Sequence, residues 1–168
     1  MKSIFKLLVA AFLSVAPLTA SAQSNVAHIN VQQLISEMPE VIAAQNELAK
    51  LEKDYTTQID NAFKEFQTKA QSYSSDAANQ TDVTNQARQK ELESMQTNLQ
   101  EFRDSAAQEL QKKQMDLMTP LLEKARNAIT KAGEDQGFNY VIDSSPNGGI
   151  ILANGKDLLA DVKKELGF

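Results

Sequence analysis

The chain has 168 residues, no Cys, one His and a net charge of −5. This length suits one folding unit, and without disulfides its stability has to come from helix packing or self-association. The acidic balance leaves no basic footprint for nucleic acid or an anionic membrane surface.

Residues 1–22 read as a secretory signal peptide. Lys2 and Lys6 supply the positive start, residues 7–15 the apolar stretch, and Ala20-Ser21-Ala22 the small-residue cleavage site, with the cut expected between Ala22 and Gln23. The apolar run is broken by Pro17 and falls short of the roughly 20 residues that span a bilayer. No Cys follows the site, which closes the lipoprotein route. Losing Lys2 and Lys6 takes the 17 basic residues to 15 against 22 acidic ones, a net charge of −7.

Residues 23–40 form the first part of a small base. Residues 26–31 read as a short strand leading into residues 32–38, and Pro39 starts the next helix. Residues 41–73 contain no Gly or Pro, and Leu48, Leu51, Tyr55, Ile59, Ala62, Phe66, Ala70 and Tyr73 recur at steps of three and four, so one long amphipathic helix is expected. Residues 74–82 are polar and turn-forming. A second helix follows, with Leu92, Met95, Leu99, Phe102 and Ala106 as a heptad seam, continuing through Leu110, Leu117 and Leu121 to Ile129. The two helices are expected to lie antiparallel as a limb over residues 41–119, with its tip near 74–82. Pro120 predicts a kink where the limb meets the base.

The second helix is expected to end near Gly133. Phe138, Tyr140 and Ile142 then alternate with Asn139, Val141 and Asp143, the period of a strand. Residues 145–149 give a turn signal and residues 150–153 a second strand, so a β-hairpin is expected. Asp157 is placed to cap a short helix carrying Leu158, Leu159, Val162 and Leu166. Residues 120–168 thus complete the base. The fold class is α+β, a long antiparallel helical hairpin inserted in a small β-rich base. Strands near Ile29, Val141 and Ile151 cannot bury their faces in so thin a base, which makes these three the candidate oligomerisation residues.

No catalytic set is legible, and the chain reads as a non-enzyme with no cofactor and no metal site. His28 has no Asp, Glu or His at ligand spacing and is read as a packed or edge residue. Residues 149–156 superficially match a phosphate loop, but Ile150 and Asp157 break the required spacing and hydroxyl position. Among the limb aromatics, Tyr55, Phe66, Tyr73 and Phe102 are expected to close the seam, whereas Phe63 widens the stripe and is expected on an exposed face. Lys53, Asp54, Lys64, Glu65, Glu91 and Glu93 read as a solvated helix face.

Several segments together resemble the Skp/OmpH family of periplasmic chaperones: Val26-Ala27-His28-Ile29-Asn30 as opening strand, Met38-Pro39 before the first long helix, and residues 120–129 at the limb base. Residues 137–143 resemble the family's strand and residues 155–162 its closing element. The resemblance implies a periplasmic homotrimer with a shared β body and three limbs around a cavity, holding unfolded outer-membrane proteins without ATP. It makes Phe63, Phe66, Tyr73, Met95 and Phe102 the candidate client-binding residues. Family members are often strongly basic; here residues 50–113 carry 9 basic and 11 acidic side chains, so no lipopolysaccharide site is carried over. The competing reading is a structural coiled-coil spacer or tether of the cell envelope.

Overall fold

The computed structural model describes residues 25–168; the signal segment and its cleavage site at Ala22 and Gln23 lie outside the described residues. In chain order the elements are β1 (Val26–Ile29), α1 (Val31–Glu37), α2 (Pro39–Asp76), a 3₁₀ turn (Ala77–Asn79), α3 (Asp82–Asp135), β2 (Tyr140–Asp143), β3 (Lys156–Asp157) and α4 (Leu159–Leu166).

Local chemistry sets the boundaries. The Asn30 side chain caps α1 by accepting from the Gln33 N–H at 2.9 Å. Pro39 holds Met38 in an extended conformation (φ −66°, ψ 121°), so α1 stops there and α2 starts with proline at its first position. The Thr81 hydroxyl accepts from the Thr84 N–H at 3.2 Å and opens α3. That helix is longer than the sequence pattern suggests, passing Gly133 to Asp135. It is not interrupted at Pro120: the carbonyl left unbonded one turn earlier lies on an exposed turn where water can bond it. At 54 residues α3 spans about 80 Å, and α2, at 38 residues, about 57 Å.

The sheet corrects the sequence reading in its topology. Its order is β2-β1-β3, and β1 pairs in parallel with both neighbours, Val26 opposite Tyr140 and His28 opposite Asp157. No β-hairpin forms, and residues 150–153 are not in a strand. The turn after β2 is tied elsewhere. One Asp143 carboxylate oxygen accepts from the Ser145 N–H at 2.9 Å, the Ser145 hydroxyl at 2.6 Å and the Val31 N–H at 3.2 Å. The Ser145 hydroxyl oxygen in turn accepts from the Gln32 N–H at 3.0 Å. These bonds fasten the turn to the β1–α1 corner, and the chain then needs residues 144–155 to cross to β3, as a parallel connection requires.

The core lies between the helix-side face of the sheet and α1, α3 and α4. Ile29, Leu34, Met38, Val41, Leu158 and Val162 are almost completely buried, packed on Ala125, Ala128 and Ala132 of α3. Of α3, only the stretch from Met118 onward joins this core. The expectation that Ile29 lies on an oligomer surface is therefore corrected: β1 is central, and the helices of its own chain cover Ile29, which is 1% exposed. Val141 is half-buried, and Ile151 is fully exposed.

At Gly133 α3 passes close against β2. A Cβ there would stand 2.7 Å from Cγ2 of Val141, a side chain stiff at χ1. Glycine in a helix interior costs about 1 kcal/mol relative to alanine, yet here the larger residue does not fit. Gly133→Ala is expected to lower stability by about 1–3 kcal/mol in urea unfolding, and adding Val141→Ala should recover part of that loss. A stabilised single variant would show that β2 can move away from α3 without cost.

Candidate functional site

Beyond the base, the two long helices form a limb with little interior. Along α3 before Pro120 only Leu99 and Ala106 are buried, and along α2 only Val41 and Ala44, next to the base. The pairing is held by a succession of cross-helix contacts. Nearest the base, Lys124 binds Glu40 at 2.7 Å and Lys113 binds Glu47 at 2.8 Å. Further out, the Tyr55 and Phe102 rings meet edge to face with centroids 6.0 Å apart, and the Tyr55 hydroxyl donates to Glu109.

The outer end is polar but connected. The Glu91 carboxylate accepts from the Lys69 ammonium at 2.5 Å and the Tyr73 hydroxyl at 2.6 Å. The Arg88 guanidinium lies 4.7 Å from the Tyr73 ring centroid and binds Asp76 at 3.0 Å. The Gln80 amide donates to the same Asp76 oxygen at 2.7 Å, and the Asn85 amide donates to the Ala77 carbonyl at 3.0 Å. The tip is thus an ordered turn. Glu91, read from sequence as part of a solvated face, joins the two helices. Only the register set by the turn brings it opposite Lys69 and Tyr73, and the one sequence hint was the i,i+4 spacing of those two.

The five candidate client residues separate. Phe102 stacks on Tyr55, and Tyr73 is engaged by Glu91 and Arg88, so both belong to the hairpin's own seam. Phe66 and Met95 are half-buried. Phe63 stands out at 40% exposure. Sequence reasoning missed further exposed apolar side chains: Ile42, Met115 and Leu122 on the long helices, and Val26, Tyr140, Ile142, Ile150 and Leu152 in the base. The base set was hidden because the two strands were read as pairing with each other. His28 places Nδ1 3.1 Å from the Ser144 hydroxyl, on the sheet face opposite the helices. Among the described residues, no cluster of three or more His, Cys, Asp or Glu could hold a metal ion, and no helix is long and apolar enough to cross a membrane.

The OmpH-like outer membrane protein family matches residues 25–166, the sheet, limb and closing helix together. The chain belongs to this family. It is also 28% identical over 169 residues to the chaperone protein Skp of Yersinia enterocolitica, covering 96% of this chain and 98% of that protein.

In this OmpH-like limb the tip contacts carry a pH dependence. Hydrogen bonds from Lys69, then Tyr73, hold the Glu91 carboxyl below its usual value, and Glu91 in turn raises Lys69. The Asp76 carboxyl is lowered first by Arg88. A lowered carboxylate contributes stability that is present above its unfolded pKa and lost as pH falls through its folded pKa; a raised lysine loses its contribution only as pH rises through its own. The tip should therefore be unchanged between pH 5 and 9 and loosen below about pH 4. Protection of the amides of residues 70–90, taken relative to the intrinsic exchange rate at each pH, is expected to fall in acid, and Glu91→Gln should reproduce the Glu91 part of that change at neutral pH. Equal protection at pH 3 and pH 7 would show that the ion pairs hold nothing in place.

Proposed function

We propose that this protein is an ATP-independent holdase chaperone of the periplasm, exported by its cleaved N-terminal segment, that binds unfolded outer-membrane proteins between the limbs of a homotrimer. The observation that carries the reading is a limb of two helical stretches, residues 39–76 and 82–119, each about 57 Å long, with almost no buried residues beyond the base. Such a limb is nearly all surface, suited to many weak contacts with an extended chain. Multivalent retention of that kind lets each contact release without nucleotide. The similarity to a protein named as a chaperone supports it.

The base supports self-association. Val26 of β1, Tyr140 and Ile142 of β2, and Ile150, Ile151 and Leu152 of the following connection are all exposed in the small base, a concentration that water disfavours unless another surface covers it. Ile151 and the half-buried Val141 remain the candidate residues for that contact.

The direct test removes residues 58–102 and rejoins the helices through a short turn. Positions 57 and 103 would then flank the new turn, close to the register in which Tyr55 meets Phe102 in the intact limb. The shortened protein is expected to keep a folded base and lose protection of an unfolded β-barrel protein against aggregation. If it protects the client as well as the intact chain does, the limb is not the holding element.

Charge and apolar contact can be told apart. With a nearly neutral limb, capture should change little between low and high salt, since screening acts on long-range charge. Phe63→Ser is expected to weaken holding a few-fold while leaving helicity intact, because Phe63 lies mostly outside the seam. A steep loss of wild-type affinity with salt would show that charge governs capture. A loss of helicity in the variant would place Phe63 in the seam.

A further inference from the structure

We infer that Asn154 is a site of spontaneous backbone modification, at which its side-chain amide closes on the Gly155 nitrogen, releases ammonia and leaves an aspartyl or isoaspartyl residue beside β3.

The Asn-Gly pair occurs twice, at Asn147-Gly148 and Asn154-Gly155, and both are exposed in the connection from β2 to β3. The pair is reactive because glycine leaves its backbone nitrogen unshielded and lets the chain rotate until that nitrogen reaches the asparagine Cγ. The fold treats the two pairs differently. The Gly148 N–H donates to the Ser145 carbonyl at 2.7 Å, within the turn that Asp143 and Ser145 fasten to the β1–α1 corner. A Cβ at Gly148 would stand 2.6 Å from the Asp143 carbonyl oxygen, so the backbone is closely packed there. Bringing the Gly148 nitrogen onto Asn147 requires that bond to break and the turn to move.

Gly155 is in the opposite situation. The Leu158 N–H donates to the His28 carbonyl at 2.9 Å, and Lys156 lies opposite Ala27. The even-numbered positions of this strand therefore bond to β1, and the alternation turns the Gly155 N–H onto the free edge of the sheet. Among the described residues it has no backbone partner, and no backbone hydrogen bond holds residues 149–154 before it. Glycine is nonetheless needed at this position, because a Cβ would stand 3.0 Å from the Val26 carbonyl oxygen. The close passage onto β1 that excludes a side chain at 155 thus builds in the reactive pair.

The chemistry needs only water as co-reactant. The Gly155 nitrogen gives up its proton and bonds to Cγ of Asn154, the carbon–nitrogen bond of the side-chain amide breaks, and the amide leaves with that proton as ammonia. Water then opens the cyclic imide. Opening at Cγ restores the normal main chain with aspartate at 154. Opening at the main-chain carbonyl carbon routes the chain through Cγ and adds a methylene to it. Either product puts a carboxylate into a stretch that carries no charge between Asp143 and Lys156, at the rim of a hollow lined by Val26, Ile142, Ile150 and Leu152. The isoaspartyl product also lengthens the chain directly before a strand of 2 residues, which loosens the pairing of Lys156 and Asp157 with β1. Asn154 is thus a time-dependent mark on the β1–β3 edge of the base.

The test incubates the purified protein in mildly alkaline buffer, with and without urea, and follows ammonia release. Fragment-ion mass spectrometry of the tryptic peptide ending at Lys156 assigns each site, and resistance to an Asp-specific protease identifies the isoaspartyl product. In urea, Asn147 and Asn154 are expected to react at comparable rates. In the native protein Asn154 should stay within a few-fold of its urea rate, whereas Asn147 should slow at least about tenfold, because its turn must open first. Asn154→Gln should remove the Asn154 product, and Asn147→Gln should leave it. The modified fraction, separated by anion exchange, is expected to show faster amide hydrogen exchange at residues 156–158. A native chain that reacts first at Asn147, or that protects Asn154 as fully as Asn147, overturns the inference. Equal protection of residues 156–158 in both fractions overturns the coupling to β3.

Discussion

The pairing of β1 with strands from the far end of the chain is the constraint on which the rest depends. Asn25 and residues 26–29 meet residues 139–144 on one side and 156–158 on the other, so a four-residue strand closes a loop of more than a hundred residues. Closing so long a loop is entropically unfavourable, but the cost grows only slowly with length, and the intervening residues are already folded as a helical hairpin that brings its ends together. β1 is therefore central and buried, Ile29 is unavailable to partners, and the β2-to-β3 connection is left to run across the open face.

Interior and surface are distributed very unevenly along the chain. Nearly all the fully buried side chains lie in the base, where three alanines of α3 allow α1, α4 and the sheet to approach. Burying side chains such as Leu34, Leu158 and Val162 contributes about 1.5–3 kcal/mol each, so the base is where folding stability resides. The limb holds its shape with helix propensity, a sparse seam and paired charges. Exposed ion pairs contribute little singly, and their role is to fix which residues face each other. The arrangement leaves long helices that are nearly all surface, with Lys124 meeting Glu40 where they join the base.

The tip shows how a polar segment can be ordered without a core. Asp76 is reached by Arg88, Gln80 and Asn79, and Arg88 also covers the Tyr73 ring. Each donor satisfies a carboxylate or carbonyl that the reversal of direction would otherwise leave to water. The helical state therefore continues to Asp76 and resumes at Asp82.

What the sequence determined by itself was local. Apolar residues at steps of three and four specify helices, because the period of the pattern is the period of the helix. Asn30, Pro39, Thr81 and Gly167 mark helix ends through contacts within a few residues, Gly167 by adopting φ 88° and donating to the Lys163 carbonyl at 2.9 Å. Partner choice was not legible in the same way. Residues 150–153 have the composition of a strand, and residues 138–143 the alternation of one, but which strands pair is decided by backbone groups distant in sequence. The Asp143–Ser145 bonds to the β1–α1 corner decided it here. The same holds at the limb: Tyr73 and Phe102 were legible as apolar positions and Phe63 as an exposed one beside the stripe, whereas the opposition of Glu91 to Lys69 emerged only once the turn had set the register between the helices. Spacing along one element is written in the sequence, and the distance between two elements exists only in the folded chain.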